Sequence, residues 1–533
     1  MVKTNINIAD TQLNSKLVKN FLKSEELNSF YSFKNDIKNY EDLIKKRSSF
    51  SVDKRLLMHN IVFEQYKNIR SLGLVSKSID ALKNPKTFTI TTGHQLCLNT
   101  GPIYFFYKIL HCIKISVELK KIYPKYNFVP VFWMASEDHD FEEIKSFQTK
   151  NKKFEISSND KNFCTGRIKP KSLNKIISEL EFYFQNKPFK DEIISLFKKA
   201  YNKDLNLSES TRLIVHSLFK DYGLISIDAD DHKLKSSFKE ILIDEVNNFT
   251  CHNYVSATND KISALLDEKI KFQVNPRKLN LFLIKDNKRY RLEYAKNSYN
   301  AVGSNLSFKK GEILEILNKN PEMFSPNVLM RPIYQEFLLP NLSYVGGGAE
   351  ISYWLQLKSL FDYYKIPFPI LTLRNSILLL NRRDIDFIDK NNIQISDLLR
   401  SKSLFIKNII NSNFKDNLNL DYEKKELKSI FKSLLKTATH VDKNLEAFVK
   451  SNETKQFKMV DSIEKKIIKS YKRKIEDLIN SCEKIYDKAH PDGILQERKI
   501  NFSEYYSFIG KKMIKNIYDS IIPFDNKLIV IEI

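Results

Sequence analysis

Two strand-like runs that enclose one helical stretch constrain this chain more than any other feature. Residues 86–91, KTFTIT, alternate and are rich in β-branched side chains, which suits a strand. Residues 128–135, FVPVFWMA, are almost wholly apolar, the pattern of a strand buried on both faces. Between them Gly93 and Gly101 bracket a loop, and Pro102 stands where it would open a helix. Ile103, Phe106, Tyr107, Leu110, Ile113 and Val117 recur at steps of three and four and give that helix an apolar face. Strand, helix and strand in this order make a βαβ unit, so the strands are expected to be parallel, with a right-handed crossover. The expected fold class is α/β with a mostly parallel sheet.

The rest of the chain fits around this unit. Residues 1–85 read as helices, so 1–150 holds N-terminal helices and the first half of the core. Residues 151–222 read as a mostly helical insertion, and 223–254 as a core strand, GLISID, with a helix after it. Residues 255–325 form a second insertion with a β hairpin over 271–295, turning at KDNK. The second half of the core, 326–383, has a strand, a glycine turn and a helix over 342–364 and a fifth strand at 368–373. From 384 to 488 glycine and proline vanish. Apolar steps run Leu427, Ile430, Leu434, Ala438, Val441, Leu445, Phe448, and again Ile467, Tyr471, Ile475, Leu478, Cys482, Ile485. They predict an antiparallel helical arm over 384–490, with its break at KSNETKQ, 450–456. The C-terminal segment, 491–533, ends in an apolar strand, KLIVIEI, expected to return to the core sheet. No internal repeat is visible.

Composition narrows the function classes. The 533 residues carry 87 Lys+Arg against 64 Asp+Glu, a formal net charge of +23. Basic residues are spread along the chain, mostly near acidic ones, with no aromatic-interleaved basic stripe, so no nucleic-acid partner is expected. A basic field still draws anionic metabolites. No apolar run is long enough to span a bilayer, and the start lacks a secretory signal, so no membrane partner is expected. Five cysteines, none in a CxxC pair, argue for a reducing compartment, and the cytoplasm is the expected location. Phosphate-loop, nucleophile-elbow and zincin motifs are absent.

The densest polar signals follow expected parallel strands, where open α/β sheets bind ligands. After the first come Gly93, His94 and Gln95, then Gly101 at a helix start, which suits an anion but also a plain tight turn. After the second come Glu137, Asp138, His139 and Asp140. They suit a solvated loop, a divalent cation, or a substrate amine or proton transfer. Asp228 ends the third strand. Gly346, Gly347 and Gly348 follow the fourth, with access to positive φ and close approach to a ligand, or simply a turn. Glu350 opens the next helix, where a carboxylate suits the dipole. Arg331 and Arg374 flank apolar strands and suit ion pairs or carboxylate clamps; Tyr104 and Tyr344 stand beside the same loops and join the candidate binding set.

Five blocks together resemble one family. TTGHQLCLNTGPIYFFYK (91–108), VPVFWMASEDHDFEEI (129–144), DYGLISIDADD (221–231), SPNVLMRPIYQEFLLPNLSYVGGGAEISYWLQLK (325–358) and LQERKIN (495–501) are similar to the BshC family, the cysteine ligases assigned to bacillithiol synthesis. The resemblance spans nearly the whole chain. It implies a Rossmann-like, nucleotidyltransferase-like core interrupted by connector segments, and a coiled-coil arm that forms a homodimer. It implies joining of L-cysteine to glucosaminyl malate, the last step of bacillithiol synthesis, as the activity. Gly93, His94 and Gln95 would stand where related folds hold a triphosphate with a HIGH motif, although this chain keeps one His of that pattern and no KMSKS-like loop. Amide formation from a free carboxylate needs activation, so ATP is the expected cosubstrate, with Mg2+ as its companion ion and no resident metal site. On this reading His94 and Gln95 face phosphate charge, and Asp138 and Asp140, helped by His139, hold or deprotonate an amine. The glycine turn receives substrate backbone, and Arg331 or Arg374 holds a malate carboxylate. Two readings from other classes stand beside the ligase: a non-catalytic metabolite-binding scaffold of the same pathway, and a basic coiled-coil nucleic-acid binder.

Overall fold

The two strands of the βαβ unit, β1 (Thr87–His94) and β2 (Asn127–Met134), pair in parallel from Thr87 opposite Asn127 to His94 opposite Met134. Side-chain alternation accounts for the apolar run in β2. Val129, Val131 and Trp133 enter one core, while Phe132 and Met134 enter another on the opposite face. The crossover helix α1 (Tyr104–Ile122) lies on the Phe132 side, with Phe105, Phe106, Leu110 and Ile113 in that second core. The structure, a computed structural model, describes residues 2–158, 162–266, 270–413 and 420–533.

Three more strands complete the sheet: β3 (Ile225–Asp228), β4 (Asn341–Gly346) and β5 (Ile370–Leu373). Every neighbouring pair is parallel, and the order from one edge is β3-β2-β1-β4-β5. This is the doubly wound, Rossmann-like order, and it reverses direction between β1 and β4. Helix α2 (Arg331–Leu338) precedes β4, and α3 (Gly348–Trp354) springs from its carboxyl end. A ligand crevice is therefore expected outside the carboxyl ends of β1 and β4.

Several local expectations change. The helix after Pro102 starts at Tyr104, and Val117 is turned out to solvent at 39% exposure. The N-terminal stretch opens with a strand, Val2–Asn7. The C-terminal strand Lys527–Glu532 does not return to the core sheet. It forms the middle of a separate sheet, antiparallel to Val2–Asn7 and parallel to Ser376–Leu380. Leu528, Ile529, Val530 and Ile531 are all buried, which a strand with partners on both sides requires. The hairpin runs from Leu281–Lys285 to Lys288–Ala295, and its turn holds Asp286 and Asn287 at φ 54° and 63°. Two successive residues with positive φ match the twist of the flanking strands. It is part of a five-stranded sheet.

His111 ties α1 to the C-terminal segment. Its Nδ1 accepts from the Asn375 N–H (3.2 Å), so Nε2 carries the proton given to the Pro523 carbonyl (2.9 Å). Burial pushes its pKa down to about 4. The unfolded chain takes up this proton near pH 6.5 and the folded chain does not, so stability falls with pH between 6.5 and 4. Acidifying from pH 7 to 5 should remove about 2 kcal/mol through this group alone, at ~1.4 kcal/mol per pH unit. Urea midpoints of the wild type and His111→Asn at both pH values check this; the variant should be weaker at pH 7 but lose less on acidification.

The chain divides into two compact units, Met1–Asn381 with Ile494–Ile533, and Arg382–Gly493. The second unit is helical. Its arm has α4 (Asp421–Val441) and α5 (Leu445–Lys474), continued by α6 (Glu476–Ala489). The break falls at 442–444, and KSNETKQ lies inside α5. Asp442 makes the turn by accepting from the Asn444 N–H at 2.8 Å. Lys424 joins the two helices through Asp461 and Glu464, both at 2.8 Å. Among the apolar residues of α4, Phe431 is buried at 9% exposure, whereas Ile430 and Leu434 of the expected seam are 55% and 50% exposed.

Candidate active site

The crevice exists as a cleft of about 870 Å³ over the carboxyl ends of the strands. It collects most of the residues singled out from the sequence. Gly93, His94, Gln95, Tyr104, Glu137, Asp138, His139, Arg331, Tyr344, Gly347, Gly348, Glu350 and Arg374 line it. Gly101, Asp140, Asp228 and Gly346 do not. Gly101 closes the loop before α1 at φ 66°, where an added Cβ would meet Cys97 Cβ at 2.7 Å. Asp140 is exposed and caps the short helix Phe141–Ile144 by accepting from the Glu143 N–H. Asp228 accepts from the hydroxyls of Ser136 and Ser208 beneath the site.

A polar cradle fills the point where the strand order reverses. Lys108, on α1, donates to the Gly93 carbonyl and to both Glu350 oxygens (2.8 and 3.0 Å). Glu350 also accepts from the Tyr344 hydroxyl (2.5 Å) and the Gly347 N–H (2.9 Å). Burial raises the pKa of this carboxyl, but Lys108, the Gly347 N–H and Tyr344 outweigh it and hold it below the usual range. Tyr344 stacks on Trp354 at 4.4 Å, which fixes its ring. Arg331 donates to Gln335 (3.1 Å) and to the hydroxyl of Tyr353 (2.8 Å), and no carboxylate pairs with it among the described residues. A side chain at position 93 would press on this guanidinium at 3.3 Å.

The three glycines serve close approach only. None of them has a positive φ, and Gly347 sits at φ −80°. A Cβ on Gly348 would lie 2.0 Å from Asn14 Oδ1, so the N-terminal segment packs where a side chain would stand. Arg374 is not free to clamp a substrate. Glu497 takes its fork at 2.7 and 3.0 Å, with the pair buried.

His94 lies against Tyr104 and Phe105, with ring centroids at 5.3 and 5.4 Å. Burial, with Lys108 and Arg374 nearby, pushes its pKa down to about 3, so the imidazole is neutral. Gln95 gives its amide hydrogens to Asp138 (2.8 Å) and Glu143 (2.7 Å), which binds the β1 loop to the β2 loop. Burial raises the Asp138 pKa, yet Arg289, Gln95 and the His139 N–H together hold it below the usual carboxylate range. Glu137 pairs with buried Lys235 at 2.8 Å. Among the described residues, no group of three or more His, Cys, Asp or Glu side chains is placed to hold a metal ion, and no helix is long and apolar enough to cross a membrane.

Several lining residues were not singled out from the sequence: Lys108, Glu143, Arg277, Arg289, Arg291, Tyr353 and Arg498. Lys108 had one visible signal, since it lies four residues after Tyr104 on a helix that is buried almost all round. The cleft holds seven Lys and Arg side chains against four Asp and Glu, which favours anionic ligands.

Comparison with known proteins agrees with this architecture. Residues 1–375 match the family described as "Bacillithiol biosynthesis BshC, N-terminal Rossmann-like domain", and residues 377–533 its "C-terminal coiled-coil domain". A relative from Flavobacterium johnsoniae, named "Putative cysteine ligase BshC", is 38% identical over 97% of both chains. One of the same name from Flavobacterium psychrophilum is 39% identical over 96% of this chain and 95% of its own. A third, from Cytophaga hutchinsonii, is 33% identical over 97% and 96%. With both halves matched in order over a doubly wound core and a helical arm, the chain belongs to the BshC family of bacillithiol biosynthesis.

Proposed function

We propose that the protein forms an amide bond between the carboxyl group of L-cysteine and the amine of glucosaminyl malate, using ATP to activate the carboxyl. The observation that carries this reading is the convergence of the β1, β2 and β4 loops on one cation-rich cleft at the strand-order reversal. A cysteine carboxylate oxygen attacks the α- or γ-phosphorus of ATP, the bond from that phosphorus to its bridging oxygen breaks, and pyrophosphate or ADP leaves, giving a mixed anhydride. The acceptor's free amine then attacks the acyl carbon, the bond from that carbon to the phosphate-bearing oxygen breaks, and the nitrogen's proton passes to the departing AMP or phosphate. Arg331 faces the negative charge of the activated group and neutral His94 donates a hydrogen bond to it, while Lys108, whose three hydrogens go to Gly93 and Glu350, adds its charge through space. Asp138, kept ionised by Arg289, suits an ammonium better than the role of a base. Gln95 braces the cleft rather than meeting phosphate, because both its amide hydrogens are engaged. Pure protein mixed with cysteine, glucosaminyl malate and ATP, with and without Mg2+, tests the reading. Mass spectrometry should show the cysteinyl product together with AMP or ADP. Ligand binding without any product would refute the ligase and favour a scaffold.

The arm's outer stripe supports a homodimer. Ile430, Leu434, Val441 and Phe448 are 55%, 50%, 77% and 67% exposed on one chain. Such a stripe on long helices suits a second copy. Light scattering should give twice the 62.6 kDa chain mass, and Leu434→Glu with Phe448→Glu should halve it without lowering the melting temperature. An unchanged mass in the double variant would remove the arm from the interface.

A further inference from the structure

One wall of the cleft enters the chemistry above only through Arg289, which holds Asp138 ionised. It is the strand pair Leu281–Lys285 and Lys288–Ala295, whose register sets Phe282 opposite Arg291 and Ile284 opposite Arg289. Residues directly opposed across a ladder share a face, as do residues two apart on one strand. Phe282, Arg289 and Arg291 therefore share a face, and all three line the cleft. The Arg289 guanidinium carbon lies 3.8 Å from the Phe282 ring centroid, so that head is drawn back towards the position of Arg291.

The two arginines differ in what they meet. Arg289 is 9% exposed, and its donors are engaged. It donates to Ser325 Oγ at 3.1 Å and the Pro326 carbonyl at 2.8 Å, and its remaining nitrogen stands 3.4 Å from His139 Nδ1 and 3.8 Å from Asp138. The Arg291 Nε is buried with no hydrogen-bond partner, and among the described residues no carboxylate pairs with its guanidinium. A planar fork of five donors, held partly out of water beside a rigid second arginine, is a carboxylate site that lacks only its anion.

We propose that Arg291 reads a carboxylate of the acceptor's malyl group, with Arg289 as the fixed neighbour that sets its place. This rests on the acceptor assigned above. Arg291→Gln and Arg291→Lys test it in the full chain. Among the described residues the Arg291 side chain makes no hydrogen bond or ion pair, and its backbone bonds survive substitution, so both variants should melt with the wild type. KM for glucosaminyl malate should rise about thirtyfold in the Gln variant and about tenfold in the Lys variant, which keeps charge but loses the fork. The kcat and the KM values for cysteine and ATP should stay within about twofold, as expected when only uniform acceptor binding is lost. Methyl glucosaminide, which has the amine but no malate, should be used equally by all three proteins. An unchanged acceptor KM, an equal penalty with methyl glucosaminide, or a rise in the ATP KM instead would overturn the proposal. If the wild type turns over neither acceptor, the acceptor reading fails by itself. Calorimetric titration of L-malate then decides the site: binding lost in Arg291→Gln keeps it, and equal heats in both proteins overturn it.

Discussion

Replacing Lys108 by methionine is expected to lower the unfolding free energy by about 3 kcal/mol and to abolish turnover. Lys108 is 1% exposed, and among the described residues its ammonium is the sole cation bonded to Glu350. Methionine preserves the volume of the stem, so the loss isolates the charge. Among the described residues it leaves Glu350 facing only the Tyr344 hydroxyl and one backbone N–H, and it removes a donor from the Gly93 carbonyl. The carboxyl should then take up a proton, and the β1 end should loosen where β4 meets it. A second substitution separates stability from function. Lys108→Met with Glu350→Gln removes both charges, and breaking a buried pair costs far more than replacing it. Most of the lost stability should return while activity stays absent, because the Lys108 charge beside the activated group is still missing. Chemical denaturation and product formation measured on both variants check this. A double variant as weak as the single one would show that packing, not the ion pair, holds the site.

The sheet was readable from sequence because its strands are short, apolar and separated by helices whose period differs from theirs. The βαβ unit, the strand before Gly346 and the strand at Ile370 each announce themselves locally. The strand Lys527–Glu532 announces itself equally well, but nothing local says which sheet it joins. Its partners Val2–Asn7 and Ser376–Leu380 are remote in the chain, and an apolar strand is content between any two neighbours. The arm's turn departs from the expected position for a different reason. KSNETKQ looks polar enough for a break, yet every residue in it is tolerated in an exposed helix. The turn instead sits where the Asp442 side chain captures a backbone N–H, a small local preference set against the continuity of two long helices.

The site divides in the same way. Residues at strand ends could be placed together by topology alone, which is why His94, Asp138, Gly347 and Glu350 share one cleft. What they do there depends on partners that topology does not choose. Arg374 and Arg331 looked alike in the sequence. Glu497, far along the chain, closes the fork of Arg374, while among the described residues no carboxylate pairs with Arg331. Gln95 suits a phosphate donor by its place in the sequence, but Asp138 and Glu143 take its amide hydrogens. Arg289 and Arg291 belong to an insertion whose docking over the sheet has no local signature at all.

Replacing His94 by alanine should cut kcat by about a hundredfold to a thousandfold, the usual loss when one donor to developing charge is removed. The fold should barely notice. Among the described residues the His94 side chain has only a long contact to Cys97 Sγ, at 4.0 Å, and ring contacts with Tyr104 and Phe105. The pH dependence separates a neutral donor from a titrating base. With its pKa pushed down to about 3 by burial and by Lys108, the ring carries no extra proton anywhere between pH 5 and 8. The wild-type rate should therefore show no limb near 6.5 that belongs to this residue. His94→Asn, which keeps one N–H donor, should recover part of the loss with the same pH profile. A wild-type limb near 6.5 that vanishes in His94→Asn would make the imidazole a proton acceptor. Full activity in His94→Ala would move the chemistry away from the β1 end and leave the strand-order reversal as a feature of the fold alone.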